Sequence, residues 1–170
     1  KSFDNSRYND YSFYVMSELQ KQLRQAKPFK SKEEELYLNL ARTTEALNWK
    51  VAELLKSHEL TGVQYNVLRI LRGAGEEGLI CSEISERLIT KDSDITRLLE
   101  RMENRDLISR RRSAKDRRHV ITKITDTGLK LLAELDEPVV SLHRQQLGHL
   151  GENLLEQLNA LLVLARSQVN

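Results

Sequence analysis

The stretch that decides the fold runs from Ser82 to Gly128 and reads SEISERLITKDSDITRLLERMENRDLISRRRSAKDRRHVITKITDTG. It is predicted to form a helix, a tight break, a second helix, two strands around a basic tip, and the start of another helix. In the second helix, predicted over residues 90–104, apolar residues recur at spacings of three and four: Ile95, Leu98, Leu99 and Met102. This spacing predicts one apolar stripe facing the core, with Thr96, Arg97 and Arg101 on the outer face.

A strongly basic segment follows this helix directly. Residues 105–118 contain seven arginines and lysines, opposed by Asp106 and Asp116, so the segment carries a charge of +5. The formal net charge of the whole chain is only +2, which makes the positive charge local. A helix shaped for a major groove, followed by a cationic hairpin, predicts binding to duplex DNA.

The composition bounds the class of protein. The 170 residues are 39% hydrophobic and 31% charged, and they include only seven glycines and two prolines. We therefore expect a mainly α fold with a small wing of two or three strands. No apolar run approaches the length of a membrane span, and no signal-peptide core is visible. Cys81 is the single cysteine, so we expect no intrachain disulfide and a reducing, cytoplasmic location. An oxidation-sensitive thiol and a small packing side chain are both compatible with Cys81.

Capping residues indicate where the helices begin. The predicted helix starts are Ser31 with Glu34, Thr61 with Gln64, Thr90, and Thr125. The corresponding helices are predicted over residues 31–58, 61–72, 90–104 and 125–142. Further helices are predicted from Tyr11 to Leu23, from Cys81 or Ser82, and over residues 152–168. Pro138 predicts a bend in its helix, and Asp106 lies where a left-handed backbone conformation is expected.

The last helix carries leucines over a broad face. A terminal helix of a small chain cannot bury so broad a face on one neighbour, so a second subunit is predicted to cover it. The stripe of the long helix over residues 31–58 is expected to join it. The predicted homodimer interface comprises Leu36, Leu40, Leu154, Leu158, Leu161 and Leu162.

The basic hairpin tip gives the sharpest prediction about DNA. Asp116 directly precedes Arg117 and Arg118. A carboxylate at this place can hold an arginine that points into a minor groove, where A·T-rich sequence concentrates negative potential. We therefore predict that this tip enters the minor groove.

The second helix supplies further predicted contacts. Arg97 and Arg101 lie one turn apart on its outer face, and arginine can read guanine or contact phosphate. Phosphate would repel Asp94, so this residue fits either a base donor such as cytosine N4 or the N-terminus of the helix. The predicted DNA contacts are Ser82, Lys91, Ser93, Asp94, Thr96, Arg97, Arg101, Arg110, Arg112, Lys115, Asp116, Arg117 and Arg118.

Several motifs occur together in an order and spacing that resemble the MarR family of regulators. The motifs are LTGVQYNVL at 60–68, SEISERL at 82–88, SDITRLL at 93–99, DRR at 116–118 and ITDTG at 124–128. The last two resemble the family's Asp-x-Arg wing tip and the Leu-Thr-x-x-Gly that opens the next helix. The resemblance covers residues 31–168. The chain departs from the family pattern at Asp106, where glycine is common.

The resemblance implies a winged helix-turn-helix homodimer that regulates transcription, as a repressor in this interpretation, by binding a pseudo-palindromic operator. A small aromatic or anionic effector is expected to release it from DNA. Residues 1–30 are then an N-terminal extension, residues 31–60 and 126–170 a helical dimerisation region, and residues 61–125 the DNA-binding lobe. Trp49 and Tyr65 are candidates for a ligand cleft, although core or interface packing fits either residue.

Other functions are less well supported by the sequence. The alternative is a winged-helix architectural or protein-interaction module without strong base readout, and Arg97 on the groove-facing surface favours the regulator. No nucleophile with a base partner, phosphate loop or metal-ligand set is recognisable, so we expect neither an enzyme nor a cofactor. His143 and His149 are six residues apart, which does not place them on one helical face, and no metal site is expected.

Overall fold

The computed structural model describes residues 16–90, 94–113 and 116–167. Helices dominate these residues and a small antiparallel sheet accompanies them, so the predicted mainly α fold is confirmed. The helices are α1 (Glu18–Gln22), α2 (Lys32–Lys56), α3 (Gly62–Ala74), α4 (Cys81–Arg87), α5 (Ile95–Asn104), α6 (Asp126–Leu147) and α7 (Gly151–Arg166). The strands are β1 (Leu79–Ile80), β2 (Ile108–Arg112) and β3 (Val120–Ile124). No helix in the described part of the chain is both long and apolar enough to cross a membrane.

The backbone divides into two compact units, residues 1–46 and residues 47–170. In the first unit, α1 is shorter than the helix predicted from Tyr11 to Leu23, of which residues 11–15 lie outside the described residues. Ser17 caps α1, because its hydroxyl accepts a hydrogen bond from the amide of Gln20, the third residue of the helix.

The N-terminus of α2 has the predicted capping residues Ser31 and Glu34, but one of the two expected hydrogen bonds involves a different amide. Ser31 Oγ accepts a hydrogen bond from the Glu34 amide at 3.2 Å. The Glu34 carboxylate accepts in return from the amide of Lys30 at 2.6 Å, rather than from that of Ser31. Two amide groups at the start of the helix are therefore satisfied, but the reciprocal bond is displaced by one residue.

The second unit is built around the apolar faces of α3, α5 and α6. The capping box at the start of α3 is confirmed, since Thr61 N donates to Gln64 Oε1 at 2.9 Å and Gln64 N donates to Thr61 Oγ1 at 3.3 Å. Burial of apolar side chains is the main force that holds such a unit together. The most deeply buried core residues include Leu55, Val67, Leu68, Leu71, Ile84, Leu99, Met102, Leu132 and Leu135.

The helix α5 begins later than predicted. Its first residue is Ile95 and its N-cap is Asp94, so the prediction of Thr90 as N-cap was wrong. Asp94 Oδ1 accepts a hydrogen bond from the Arg97 amide at 3.4 Å. Aspartate caps helices at least as well as threonine, and Asp94 directly precedes the apolar stripe. The stripe itself is buried as predicted, at Leu98, Leu99 and Met102.

The small sheet has the strand order β1-β3-β2, with both pairs antiparallel. The hairpin of β2 and β3 was predicted, and its register places Ile108 opposite Ile124 and Arg110 opposite Thr122. Thr122 is buried, so this face of the hairpin packs against the core. The strand β1 was not located from the sequence, because two residues are too few to show an alternating pattern.

The first turn of α6 lies very close to the chain that precedes β2. As predicted, Thr125 caps the helix, because its Oγ1 accepts a hydrogen bond from Gly128 N at 3.1 Å. Thr125 N also donates to the Leu107 carbonyl oxygen at 3.2 Å. A Cβ atom on Gly128 would overlap that same oxygen and lie 2.8 Å from Cγ1 of Ile124. A side chain at position 128 is therefore sterically excluded.

The two C-terminal helices form the remainder of the second unit. α6 continues through Pro138 to Leu147, beyond the end predicted at residue 142, and a bend at Pro138 stays a prediction. A 3₁₀ turn at Gly148–Leu150 leads into α7. Gln146 Nε2 donates to the Leu47 carbonyl oxygen at 3.0 Å, which joins α6 to the second half of α2.

Candidate nucleic-acid interface

The outer face of α5 is exposed and polar. The side chain of Arg97 is 79% exposed, and its Nε lies 3.4 Å from Asp94 Oδ2. Arg101 Nε donates to the Arg97 carbonyl oxygen at 3.3 Å, so the two arginines lie side by side. The exposed residues of this face are Thr96, Arg97, Glu100, Arg101 and Asn104. The predicted contacts Thr96, Arg97 and Arg101 therefore share one surface.

Two acidic residues, one at the N-cap of α5 and one on its outer face, refine the sequence-based interpretation. Asp94 both caps the helix and pairs with Arg97, so it serves the helix N-terminus, which was one of its two predicted roles. Glu100 lies on the same outer face and was missed. Its position three residues after Arg97 and outside the apolar stripe could have identified it. The predicted contacts Lys91 and Ser93 lie outside the described residues.

The tip of the wing is closed by backbone hydrogen bonds and one hydroxyl. Ser113 N donates to the His119 carbonyl oxygen at 2.9 Å, and His119 N donates to the Asp116 carbonyl oxygen at 3.0 Å. Asp116 N donates to Ser113 Oγ at 3.3 Å. These bonds fix the backbone around Asp116, while the predicted contact Lys115 lies outside the part of the chain that the structure describes.

At this tip, Asp116 holds Arg118. Arg118 Nη2 donates to Asp116 Oδ2 at 2.8 Å, Nε donates to Oδ1 at 3.1 Å, and the Arg118 amide donates to Oδ1 at 2.9 Å. The side-chain hydrogen bond from Arg118 lowers the pKa of Asp116, and the same bond raises the pKa of Arg118, so both groups are charged at neutral pH. The guanidinium is therefore oriented, although the Arg118 side chain is still 88% exposed. A bidentate pair of this kind fixes the arginine's direction.

Arg117 differs from its neighbour. It is exposed, and within the described ranges no hydrogen bond or ion pair engages its side chain. In the described part of the tip, Arg118 is therefore oriented, whereas its neighbour Arg117 is exposed without a partner. An unpaired cation of this kind suits a phosphate, whereas an oriented guanidinium suits a narrow groove.

Arg110 of β2 is only partly exposed. Its side chain is only 21% exposed, and its Nη1 lies 3.6 Å from Glu103 Oε2. The Arg110 amide also donates to Glu103 Oε1 at 3.1 Å. These contacts join β2 to α5 and give Arg110 a structural role, while its contact with DNA stays a prediction. Its neighbour Arg112 is exposed, as a DNA contact requires.

The C-terminal end of α5 is bound to two other parts of the second unit. Arg105 Nη1 donates to the carbonyl oxygen of Glu59, in the turn that follows α2, at 2.5 Å. Asp106 has a φ of 55°, which confirms the predicted left-handed conformation. Its carboxylate accepts a hydrogen bond from Thr127 Oγ1 at 2.8 Å, and its carbonyl oxygen accepts from Thr125 Oγ1. The direction of α5 is therefore set by the turn after α2 and by the start of α6, as well as by its own apolar stripe.

An ion pair joins α3 to α6 across the same unit. Arg72 Nη1 and Nη2 donate to Asp136 Oδ2 and Oδ1 at 2.7 and 2.9 Å. The side-chain hydrogen bond from Arg72 lowers the pKa of Asp136, so the pair is charged at neutral pH. Both side chains are more than one third exposed, so solvent weakens the contribution of the pair to stability.

The helix α7 presents a broad apolar surface to solvent. Leu154, Leu158 and Leu161 are 54%, 41% and 62% exposed, whereas Leu162 is half-buried. Val163 and Leu164 are also more than 60% exposed. A single chain leaves this much apolar area uncovered only rarely. In the first unit, Leu36 is exposed and Leu40 is half-buried.

The two aromatic candidates for a ligand cleft lie in different environments. Tyr65 is buried in the core of the second unit, with the Arg69 guanidinium carbon 5.8 Å from its ring centre. Trp49 is 62% exposed. Ser82, predicted as a phosphate contact, is exposed in the first turn of α4.

Comparison with known proteins is consistent with this geometry. The profile of the family "Transcriptional regulator SarA/Rot" matches residues 50–135. The HTH-type transcriptional repressor IacR of Pseudomonas putida is 32% identical over 123 residues, which cover 72% of each chain. A crystal structure of a MarR transcription factor from Planctomyces limnophilus is 42% identical, with a TM-score of 0.62, over 81% of this chain and 99% of that one.

A further solved structure supports the fold alone. It is a mutant MarR from E. coli complexed with operator DNA, 21% identical with a TM-score of 0.73, and the match covers 82% of this chain and 99% of that one. The family profile spans α3 to α5 and the wing, the segments whose geometry is described above. The chain therefore belongs to the MarR family of winged helix-turn-helix transcriptional regulators.

Proposed function

We propose that this regulator binds a pseudo-palindromic operator as a homodimer and represses transcription from it. In this proposal α5 enters the major groove and the wing tip enters the adjacent minor groove. The observation that carries it is the wing tip, where Asp116 orients an exposed Arg118 beside Arg117, whose side chain has no partner among the described residues. Solved structures of similar fold support it, since an E. coli MarR and an S. aureus MepR were each crystallised with DNA.

The contacts divide into two classes on physical grounds. Arg118 is the candidate for the minor groove, because its direction is fixed. Arg97 and Arg101 on the face of α5 are candidates for guanine readout, with Thr96 beside them. Cations and hydroxyls beside these residues are candidates for phosphate contacts that position the protein without reading sequence: Ser82, Lys91, Ser93, Arg112, Lys115 and Arg117.

Asp116→Ala separates orientation from simple charge at the wing. The substitution removes a negative charge beside the DNA, so charge alone would tighten binding. If Asp116 instead orients Arg118, operator affinity is expected to fall by about tenfold, within the range of a specific contact. Fluorescence anisotropy with operator and random duplexes measures this. The control is Asp126→Ala, which removes an equal charge at an exposed position in the first turn of α6. Tighter operator binding by Asp116→Ala would contradict the orienting role.

The homodimer in this proposal is formed in part by α7. Leu154, Leu158 and Leu161 recur at spacings of four and three and are all exposed in the single chain. Covering them with a second copy removes apolar area from water and relates the two copies of α5 by a twofold axis. Leu36 and Leu40 of α2 remain predicted members of the interface. In this proposal, residues 31–60 and 126–170 form the dimerisation region.

We also propose that a small aromatic or anionic effector releases the protein from its operator. A tenfold loss of DNA affinity requires a ligand to favour the misaligned state by only about 1.4 kcal/mol. Trp49 is exposed and available to such a ligand, whereas the burial of Tyr65 argues against a direct contact from that residue.

A screen of aromatic carboxylates against the preformed protein–operator complex tests the effector. At least one compound is expected to lower operator affinity tenfold or more, and Trp49→Ala is expected to weaken its effect. Tyr37→Ala, another exposed aromatic side chain of α2, is the matched control. Operator binding that no compound shifts would contradict the effector and leave DNA binding itself unaffected.

A further inference from the structure

The turn between α4 and α5 is attached to α3 by a side chain. Asn66 Oδ1 accepts a hydrogen bond from the amide of Ile89 at 2.9 Å, between residues 23 apart in sequence. Leu88 beside it is buried, whereas the side chain of Ile89 is 85% exposed. The backbone at this point therefore lies at the surface, and Asn66 reaches from the neighbouring helix to hold it.

The chemistry of this bond fixes the orientation of the Asn66 amide. A backbone N–H is only a donor, so the Asn66 atom that faces Ile89 must be its oxygen. The Asn66 amino group then points elsewhere, and it has no hydrogen-bond partner among residues 16–90, 94–113 and 116–167. Asn66 is half-buried, between the buried Tyr65 and Val67 of α3, so helix packing limits where its side chain can move.

The sequence of the turn explains why such an anchor matters. Residues 88–94 read LITKDSD and contain no proline, so no ring fixes a φ angle in this stretch. The cap at Asp94 sets the first turn of α5 but does not fix its direction relative to α4. The bond from Asn66 to Ile89 supplies a fixed point between the two helices.

We propose that Asn66 is a positioning residue for operator recognition. Its hydrogen bond to Ile89 holds the start of the turn between α4 and α5, so that α5 enters the groove in one orientation. The proposal rests on the sequence-specific DNA binding proposed above. A positioning residue affects base readout, which needs accurate placement, more than the attraction between cations and phosphates, which does not. The alternative is that the Asn66 amino group itself donates to a phosphate, and this would weaken binding to all DNA alike.

Asn66→Ala tests the proposal with two independent measurements. The first is the affinity for operator and for random duplex DNA over a range of salt concentrations. We expect operator affinity to fall about fivefold to tenfold, as for one lost hydrogen bond, while random-DNA affinity stays within twofold and the salt slope is unchanged. The second is hydrogen exchange of the Ile89 amide without DNA, which is expected to accelerate at least tenfold. Asn48→Ala, at an exposed asparagine of α2, is the control and is expected to change neither.

Asn66→Asp is the restoring variant, because it keeps an oxygen acceptor for Ile89. Its added negative charge is expected to weaken binding to operator and to random DNA by the same factor. The readout is therefore the ratio of operator affinity to random-DNA affinity. We expect this ratio to return to within twofold of the native value. Equal losses for operator and random DNA in Asn66→Ala would overturn the proposal in favour of a phosphate contact. An unchanged ratio despite faster Ile89 exchange, or a ratio in Asn66→Asp as low as in Asn66→Ala, would also overturn it. If the native protein itself showed no preference for operator over random DNA, the proposed function would be refuted instead. Hydrogen exchange of the Ile89 amide in Asn66→Ala would then still show whether Asn66 holds the turn.

Discussion

Replacement of Leu158 and Leu161 by aspartate is expected to convert the regulator into a monomer and to lower its operator affinity by about 10²–10⁴-fold. The loss is large because a monomer binds each half-site separately, whereas a dimer binds both at once. Both leucines are exposed in the single chain, so the protomer has little reason to unfold. In a dimer they would be covered, and two buried, unpaired carboxylates per chain would cost several kcal/mol. Sedimentation velocity measures the assembly, and anisotropy measures the affinity.

The matched control adds equal charge to the same helix without touching the leucine face. Asn153→Asp with Ala160→Glu introduces two negative charges at exposed positions of α7, on the side away from Leu154, Leu158 and Leu161. This variant is expected to remain a dimer and to bind operator nearly as the native protein does. A native chain that sediments as a monomer at micromolar concentration, or a Leu158/Leu161 variant that stays dimeric, would contradict the proposed interface.

Gly128→Ala is expected to lower the stability of the protein by about 3 kcal/mol or more, the size of effect that backbone overlap in a packed region produces. The added methyl group would overlap the Leu107 carbonyl oxygen, which already accepts a hydrogen bond from Thr125 N and cannot move freely. For a chain of this size, the loss corresponds to a decrease in Tm of about 10 °C. Calorimetry or thermal unfolding by circular dichroism measures it.

Gly73→Ala is the control for this substitution. Gly73 is also helical, and a Cβ atom there would meet nothing within 4 Å. Alanine is expected to stabilise α3 by about 0.5–1 kcal/mol, because it restricts the unfolded chain and favours the helix. The two glycine substitutions should therefore have opposite signs. Equal, small effects at both positions would show that the contact between residue 128 and Leu107 is looser than described.

Local patterns in the sequence predicted most helix boundaries and one strained position. The Thr61–Gln64 box and the Thr125 cap depend on residues three apart, and both form as predicted. Asp106 was expected in the left-handed region and has a φ of 55°. Capping and C-terminal turns follow from short-range geometry, so a single sequence is sufficient to identify them.

Competition between equivalent local signals accounts for the error at the start of α5. Thr90 and Asp94 are both good capping residues and both precede the apolar stripe. The choice depends on how the chain leaves α4, and there the amide of Ile89 is held by Asn66 of α3. That bond joins residues that are distant in sequence, so no local pattern could reveal it.

Contacts between elements also distinguish Arg110 from its basic neighbours. The run Arg110 to Arg112 looks uniformly basic, but the strand alternates its side chains between two faces. The register places Arg110 on the face that packs inward, where Glu103 of α5 receives it. The count of cations in the wing was therefore predictable, whereas the selection of those available to DNA required the three-dimensional arrangement.

The most direct test of the central claim is the selection of sequences that the native protein binds from a pool of random duplex DNA. Sequence-specific recognition by two copies of α5 predicts one enriched motif that is pseudo-palindromic. Its half-sites should be centred about one helical turn apart, or a multiple of it, roughly 10–10.5 base pairs for one turn. Arg97→Ala should bind the same motif with relaxed preference in each half-site. A pool from which no sequence is enriched, bound by the native protein and by Arg97→Ala with equal affinity, would contradict the account and identify a winged-helix module that binds DNA without reading its bases.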